Sequence, residues 1–83
     1  LSAAYPNPFN PSTTVTLTMP SAEYVSVKVY NLMGQMVGVL ADGMLDASVH
    51  SFTWDASHMS SGVYLIKAES SSSVDIQKVL LVK

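Results

Sequence analysis

Val25, Val27 and Val29 alternate with Ser26, Lys28 and Tyr30. In an extended chain three valines then share one face, while two polar side chains and a phenol share the other. A helix would scatter the valines around its axis and restrict their β-branched side chains, so period and propensity both select a strand. Asn31 and Gly34, which tolerate left-handed backbone angles, follow directly, and Gln35 opens a new apolar segment at Met36 to Leu40. The spacing predicts a β-hairpin over Tyr24 to Leu40. Its second strand alternates poorly, with Val37 and Val39 on one face and Met36 and Leu40 on the other, and a bulge is expected near Gly38.

The same period recurs along the chain. Thr13 to Met19 places Val15, Leu17 and Met19 opposite Thr14, Thr16 and Thr18, and Pro20-Ser21-Ala22-Glu23 stops that strand. After the hairpin, Ala41-Asp42-Gly43 signals a turn, and the segment through Ser48 has no period and reads as a loop. In Val49 to Trp54 the side chains of His50, Phe52 and Trp54 share a face that should be core. Asp55 to Gly62 is turn-rich, with Asp55 placed for an Asx-turn onto Ser57. Val63 to Ala68 is a strand, Ser70 to Ser73 a mobile loop tip, and Val74 to Val82 a last strand. Ahead of all this, Tyr5-Pro6-Asn7-Pro8-Phe9-Asn10-Pro11 sets three prolines in seven residues, which makes residues 1–12 a stiff, extended lead-in. Pro8 and Pro11 also have the spacing of a polyproline recognition segment, with no basic residue beside them.

Six strands and a possible N-terminal edge strand, joined by short turns, predict an all-β fold, an antiparallel β-sandwich of about seven strands. Its core should bring Trp54, Phe52, Val27 and Val29 together across two sheets. Residues 1–83 suffice for a single domain, which buries roughly 60 to 65% of the surface of its unfolded chain. Four basic and six acidic residues without a run of like charge offer no footprint for nucleic acid or anionic lipid. No cysteine is present, so there is no disulfide framework and no thiolate metal site. The aliphatic run Val79 to Val82 is far too short to span a membrane, and the N-terminus lacks the features of a signal peptide. A first residue of Leu1 in place of methionine is what a chain with a region removed upstream would show.

Chemistry is sparsely marked. His50, His58, Asp55, Ser57, Ser60 and Ser61 have the types of a hydrolytic site, but no spacing forms a nucleophile elbow or a metal motif. His50 reads as a core-edge histidine bonded to backbone, and His58 as a turn residue. Asp42, Asp46 and Asp55 lack the dense alternation of a calcium loop. No cofactor and no catalytic residue is expected.

Five spaced motifs carry a resemblance: Tyr5-Pro-Asn-Pro-Phe-Asn-Pro11, Val29-Tyr-Asn-Leu-Met-Gly-Gln35, His50-x-x-x-Trp-Asp55, Ser61-Gly-Val-Tyr64 and Lys78-Val-Leu-Leu-Val-Lys83. Their order resembles the C-terminal sorting domain, type A, of type IX secretion cargo from Bacteroidetes and related bacteria. That resemblance implies an immunoglobulin-like sandwich and a non-catalytic sorting role. It implies as partners an N-terminal passenger, an outer-membrane translocon and a cell-surface sortase, with a product that is secreted or held at the cell surface after passing the periplasm. Candidate recognition residues are Asn31, Gly34 and Gln35 in the hairpin turn, Gly62 at a strand start, and Lys78, Val82 and Lys83 in the tail. For Gly34 and Gly62 a purely conformational role is at least as strong a reading as direct contact. Ser48 and His58 depart from the glycines common in that family, which predicts positive φ at His58. The middle motifs also resemble the Ig-like domain of the flagellar hook-cap protein, a structural accessory module.

Overall fold

The computed structural model describes residues 2, 4–71 and 73–83, so the loop expected at Ser70 to Ser73 and the start of the lead-in lie partly outside the described residues. Six strands run in the order β1 (Ser12–Thr18), β2 (Glu23–Asn31), β3 (Met36–Leu45), β4 (Val49–Asp55), β5 (Gly62–Ser70) and β6 (Val74–Leu81). They form two antiparallel sheets, a two-stranded β1-β4 and a four-stranded β3-β2-β5-β6. No helix long and apolar enough to cross a membrane occurs among the described residues.

No seventh strand forms among the described residues of the N-terminal segment. Pro6, Pro8 and Pro11 have no N–H to give a ladder, and the segment makes two single bridges instead, Tyr5 antiparallel to Thr14 and Phe9 parallel to Leu81. The first joins it to the small sheet and the second to the large one.

The expected β2 face is the centre of the core. Val25, Val27 and Val29 are buried, with Ile66, Ala68 and Tyr64 of β5 and Val79 and Leu81 of β6 beside them. From the other sheet come Val15 and Trp54, and from the N-terminal segment Phe9. Thr13, the buried polar residue of this set, gives its hydroxyl to the Pro6 carbonyl at 2.8 Å, which removes the cost of an unpaired buried group.

Three expectations change. The strand β3 continues through Ala41-Asp42-Gly43 to Leu45, because Tyr24 and Val25 extend β2 far enough to pair with Met44 and Gly43; cross-strand pairing overrides the turn propensity of Asp-Gly. Two register shifts interrupt that pairing, one between Val27 and Lys28 and one between Val29 and Tyr30. They leave Leu40 and Val37 as extra residues on either side of Gly38, so the expected bulge is double. Phe52, lastly, is half-buried and stacks on His50 with ring centroids 6.4 Å apart; its sheet has only two strands, too narrow to cover it. Phe9 and Tyr64 take its place around Trp54, at centroid distances of 5.7 and 5.1 Å.

Candidate functional site

The register of β2, β5 and β6 brings the candidate recognition residues to one end of the large sheet. Asn31 stands opposite Tyr64, Tyr64 opposite Val79, and Gly62 opposite Leu81. The hairpin turn leaves β2 there, and the tail leaves β6 there.

In the turn, Asn31 Oδ1 accepts from the backbone N–H of Met33 and of Gln35, both at 3.0 Å. Its Nδ2 donates to Gln35 Oε1 at 2.9 Å, and backbone bonds from Asn31 to Gln35 and from Gly34 to Asn31 close the loop. Gly34 has φ +83° with open space where a Cβ would be, a conformation that only glycine adopts at little cost. Asn31, Gly34 and Gln35 are thus occupied in forming the turn. What the turn presents is Leu32 and Met33, 71% and 82% exposed. Sequence reasoning missed them; two apolar residues between Asn31 and Gly34, where polar turn residues are usual, are the signal that could have found them.

The tail is held from two sides. Asn7 uses both ends of its amide on β6, donating from Nδ2 to the Lys78 carbonyl and accepting at Oδ1 from Leu80 N–H, each at 3.0 Å. Phe9 continues the pattern: its N–H donates to Leu80 O at 2.9 Å and its carbonyl accepts from Val82 N–H at 3.0 Å. A proline-rich segment therefore supplies β6 with a surrogate edge strand. On the other side Lys83 N–H donates to Ser61 Oγ at 3.1 Å, and its Nζ to the Ser57 carbonyl at 2.9 Å. Lys83 is exposed, as expected, yet tethered. Gly62 sits beside this anchor at φ +154°, again a backbone that favours glycine.

The turn that Lys83 grips is built by Asp55, whose Oδ1 accepts from Ser57 N–H at 2.9 Å. This is the expected Asx-turn. The Ser57 backbone bond, with the Ser57 side chain second, holds the Asp55 carboxyl below its ordinary pKa, because both favour the charged form. His58 is exposed and not at positive φ, nor is Ser48. The reason for glycine at either position is absent here, and the expectation of left-handed backbone at His58 is wrong. His50 bonds the Asp46 carbonyl at 3.0 Å through Nε2 and lies 3.0 Å from its carboxylate, as a histidine at the core edge should. Tyr24 donates its hydroxyl to Asp42, a bond that raises the phenol pKa.

No curated protein matches the chain. The family model described as the secretion system C-terminal sorting domain matches residues 3–83, a span that includes both the Asn7 to Phe9 strap and the Lys83 anchor. That match lends no support to a hook-cap-like module. With nearly its whole length covered, the chain belongs to the secretion system C-terminal sorting domain family, whose members act as C-terminal sorting signals in type IX secretion.

Proposed function

We propose that residues 1–83 form one sorting domain that carries a passenger, joined ahead of Leu1, across the periplasm to the outer-membrane type IX translocon, after which a cell-surface sortase removes the domain. The role is non-catalytic. The observation that carries this reading is the family match running to Lys83, and its geometric support is the gathering of the hairpin turn and tail at one end of the sheet. Leu32 and Met33 supply exposed apolar side chains there, while Asn31, Gly34, Gln35 and Gly62 hold the frame. Lys78, Val82 and Lys83 complete the recognised end. An immunoglobulin-like sandwich is the finer fold we infer, with the N-terminal segment bridging both sheets in place of a seventh strand; the single bridges of Tyr5 and Phe9 support it.

The test is a reporter fused ahead of Leu1 and followed by immunoblot in medium, cell surface and periplasm of type IX-competent and translocon-deficient strains. Export is expected in the competent strain alone, and Leu32→Ser with Met33→Ser should reduce it while the melting temperature stays within a few degrees. A folded fusion that remains periplasmic in the competent strain refutes the sorting role, and unchanged export of the double variant removes the turn from the recognised end.

A further inference from the structure

The outward face of the four-stranded sheet is uncovered among the described residues, and its composition is unusual for a solvated face. One row across it reads Val39, Lys28, Lys67, Ile76, and the next Met36, Tyr30, Leu65, Lys78. Ile76 and Met36 are 51% and 53% exposed. A cleft of about 300 Å³ opens on this face, lined by Tyr30, Leu65, Ile76 and Lys67 and by Leu32 of the hairpin turn.

Charge is as uneven as hydropathy. Three of the chain's four cations stand in these two rows, although the net charge is −2, and the carboxylates of this face, Asp42 and Glu69, share the row beyond Lys28 and Lys67. Lys28 and Lys67 are direct cross-strand neighbours, an arrangement that destabilises a sheet. Among the described residues Lys67 is relieved only by Glu69 at 3.9 Å, and Lys28 has no ion pair. Folding gains nothing from this pair, whereas an anion set between the two ammonium groups would.

We propose that this face docks an acidic protein segment, one carboxylate lying between Lys28 and Lys67 and an adjacent aliphatic or aromatic side chain entering the cleft between Tyr30, Leu65 and Ile76. A second copy of the chain fits poorly, since a two-fold axis through the face sets lysines against lysines. An anionic membrane fits poorly too, because surface attraction is read from clusters of about four to eight basic residues, and three on a net-negative domain fall short. The inference goes beyond the sorting role by naming a surface and the chemistry of its partner.

The experiment uses the exported reporter fusion with the photo-crosslinker p-benzoylphenylalanine at Met36, an exposed position on this face outside the cleft lining. Export of the unmodified fusion reports on sorting by itself, so its failure is distinguishable from failure of the docking face. The docking face predicts an adduct to a protein peptide that has Asp or Glu beside apolar residues. Lys28→Gln with Lys67→Gln should cut adduct yield by about tenfold, a loss equivalent to a single displaced charge contact. Lys28→Arg with Lys67→Arg should retain it. The Gln pair removes a repulsion and should melt no lower than the parent, and Leu65→Ser tests the apolar half separately. An adduct to lipid or to a second copy, an adduct indifferent to the Gln pair and to Leu65→Ser, or no adduct from an exported fusion overturns the proposal.

Discussion

Gly38 matters for what it lacks. A Cβ there would lie 3.2 Å from Trp54 Nε1 and 3.8 Å from Val29 Cβ, and the indole cannot withdraw because Phe9 and Tyr64 pack against it. Gly38→Ala should therefore cost about 1–3 kcal/mol, the usual range for overpacking, as read from urea melts. A gain of roughly 0.4–1 kcal/mol, the entropic benefit of alanine at an unstrained site, would show the indole to be free to move. Asp55 makes a different prediction, in pH. Its folded pKa lies below its ordinary value, so its contribution to stability is complete above about pH 4 and is lost as pH falls through the folded value. Asp55→Asn should flatten that acid limb of the melting-temperature profile; an unchanged limb would mean that the Ser57 turn does not depend on the charge.

Strands and turns differ in how far the sequence reveals them. Period-two alternation made β1, β2 and β4 legible with their inward faces, because each has one face against the core, and made β5 and β6 legible as strands alone. The second half of β3 was hidden: Asp42-Gly43 reads locally as a turn, and only the partner strand makes it continue. Of the candidate site, the glycine positions were legible as backbone requirements, whereas the exposure of Leu32 and Met33 depends on how Asn31 closes the turn. The strap over β6 was the least legible element, since nothing about Asn7 in a run of prolines announces that its amide will pair with a strand 71 residues away. That pairing is testable. Asn7→Ala removes two hydrogen bonds at an exposed edge, for an expected loss of about 1–2 kcal/mol, and it should speed hydrogen exchange at Leu80 N–H more than at Val79 N–H. Equal protection at Leu80 in both proteins would leave the strap without a role in holding the tail.

At the scale of the whole molecule, the two sheets share few direct ties, and the N-terminal segment joins them. Phe9 is bonded through its backbone to Leu80 and Val82 at the end of the large sheet, while its ring, 2% exposed, lies 5.7 Å from that of Trp54 in the small sheet. Pro11 adds a second tie, accepting from Ala56 N–H at 2.9 Å. The N-terminal segment thus fastens the tail to the core, and loosening either ring should weaken both sheets together. Full truncation at these positions costs about 3–5 kcal/mol, too much of a small domain's stability to measure a coupling against. Phe9→Leu and Trp54→Leu retain bulk and remove only the ring contact. In a double-mutant cycle by urea denaturation the pair should show a coupling of about 0.5–1.5 kcal/mol, with hydrogen exchange at Val82 N–H rising in the Trp54→Leu protein although residue 54 makes no bond to the tail. Additive losses together with an unmoved Val82 amide would mean that the strap grips the large sheet alone and leaves the small sheet to its own contacts.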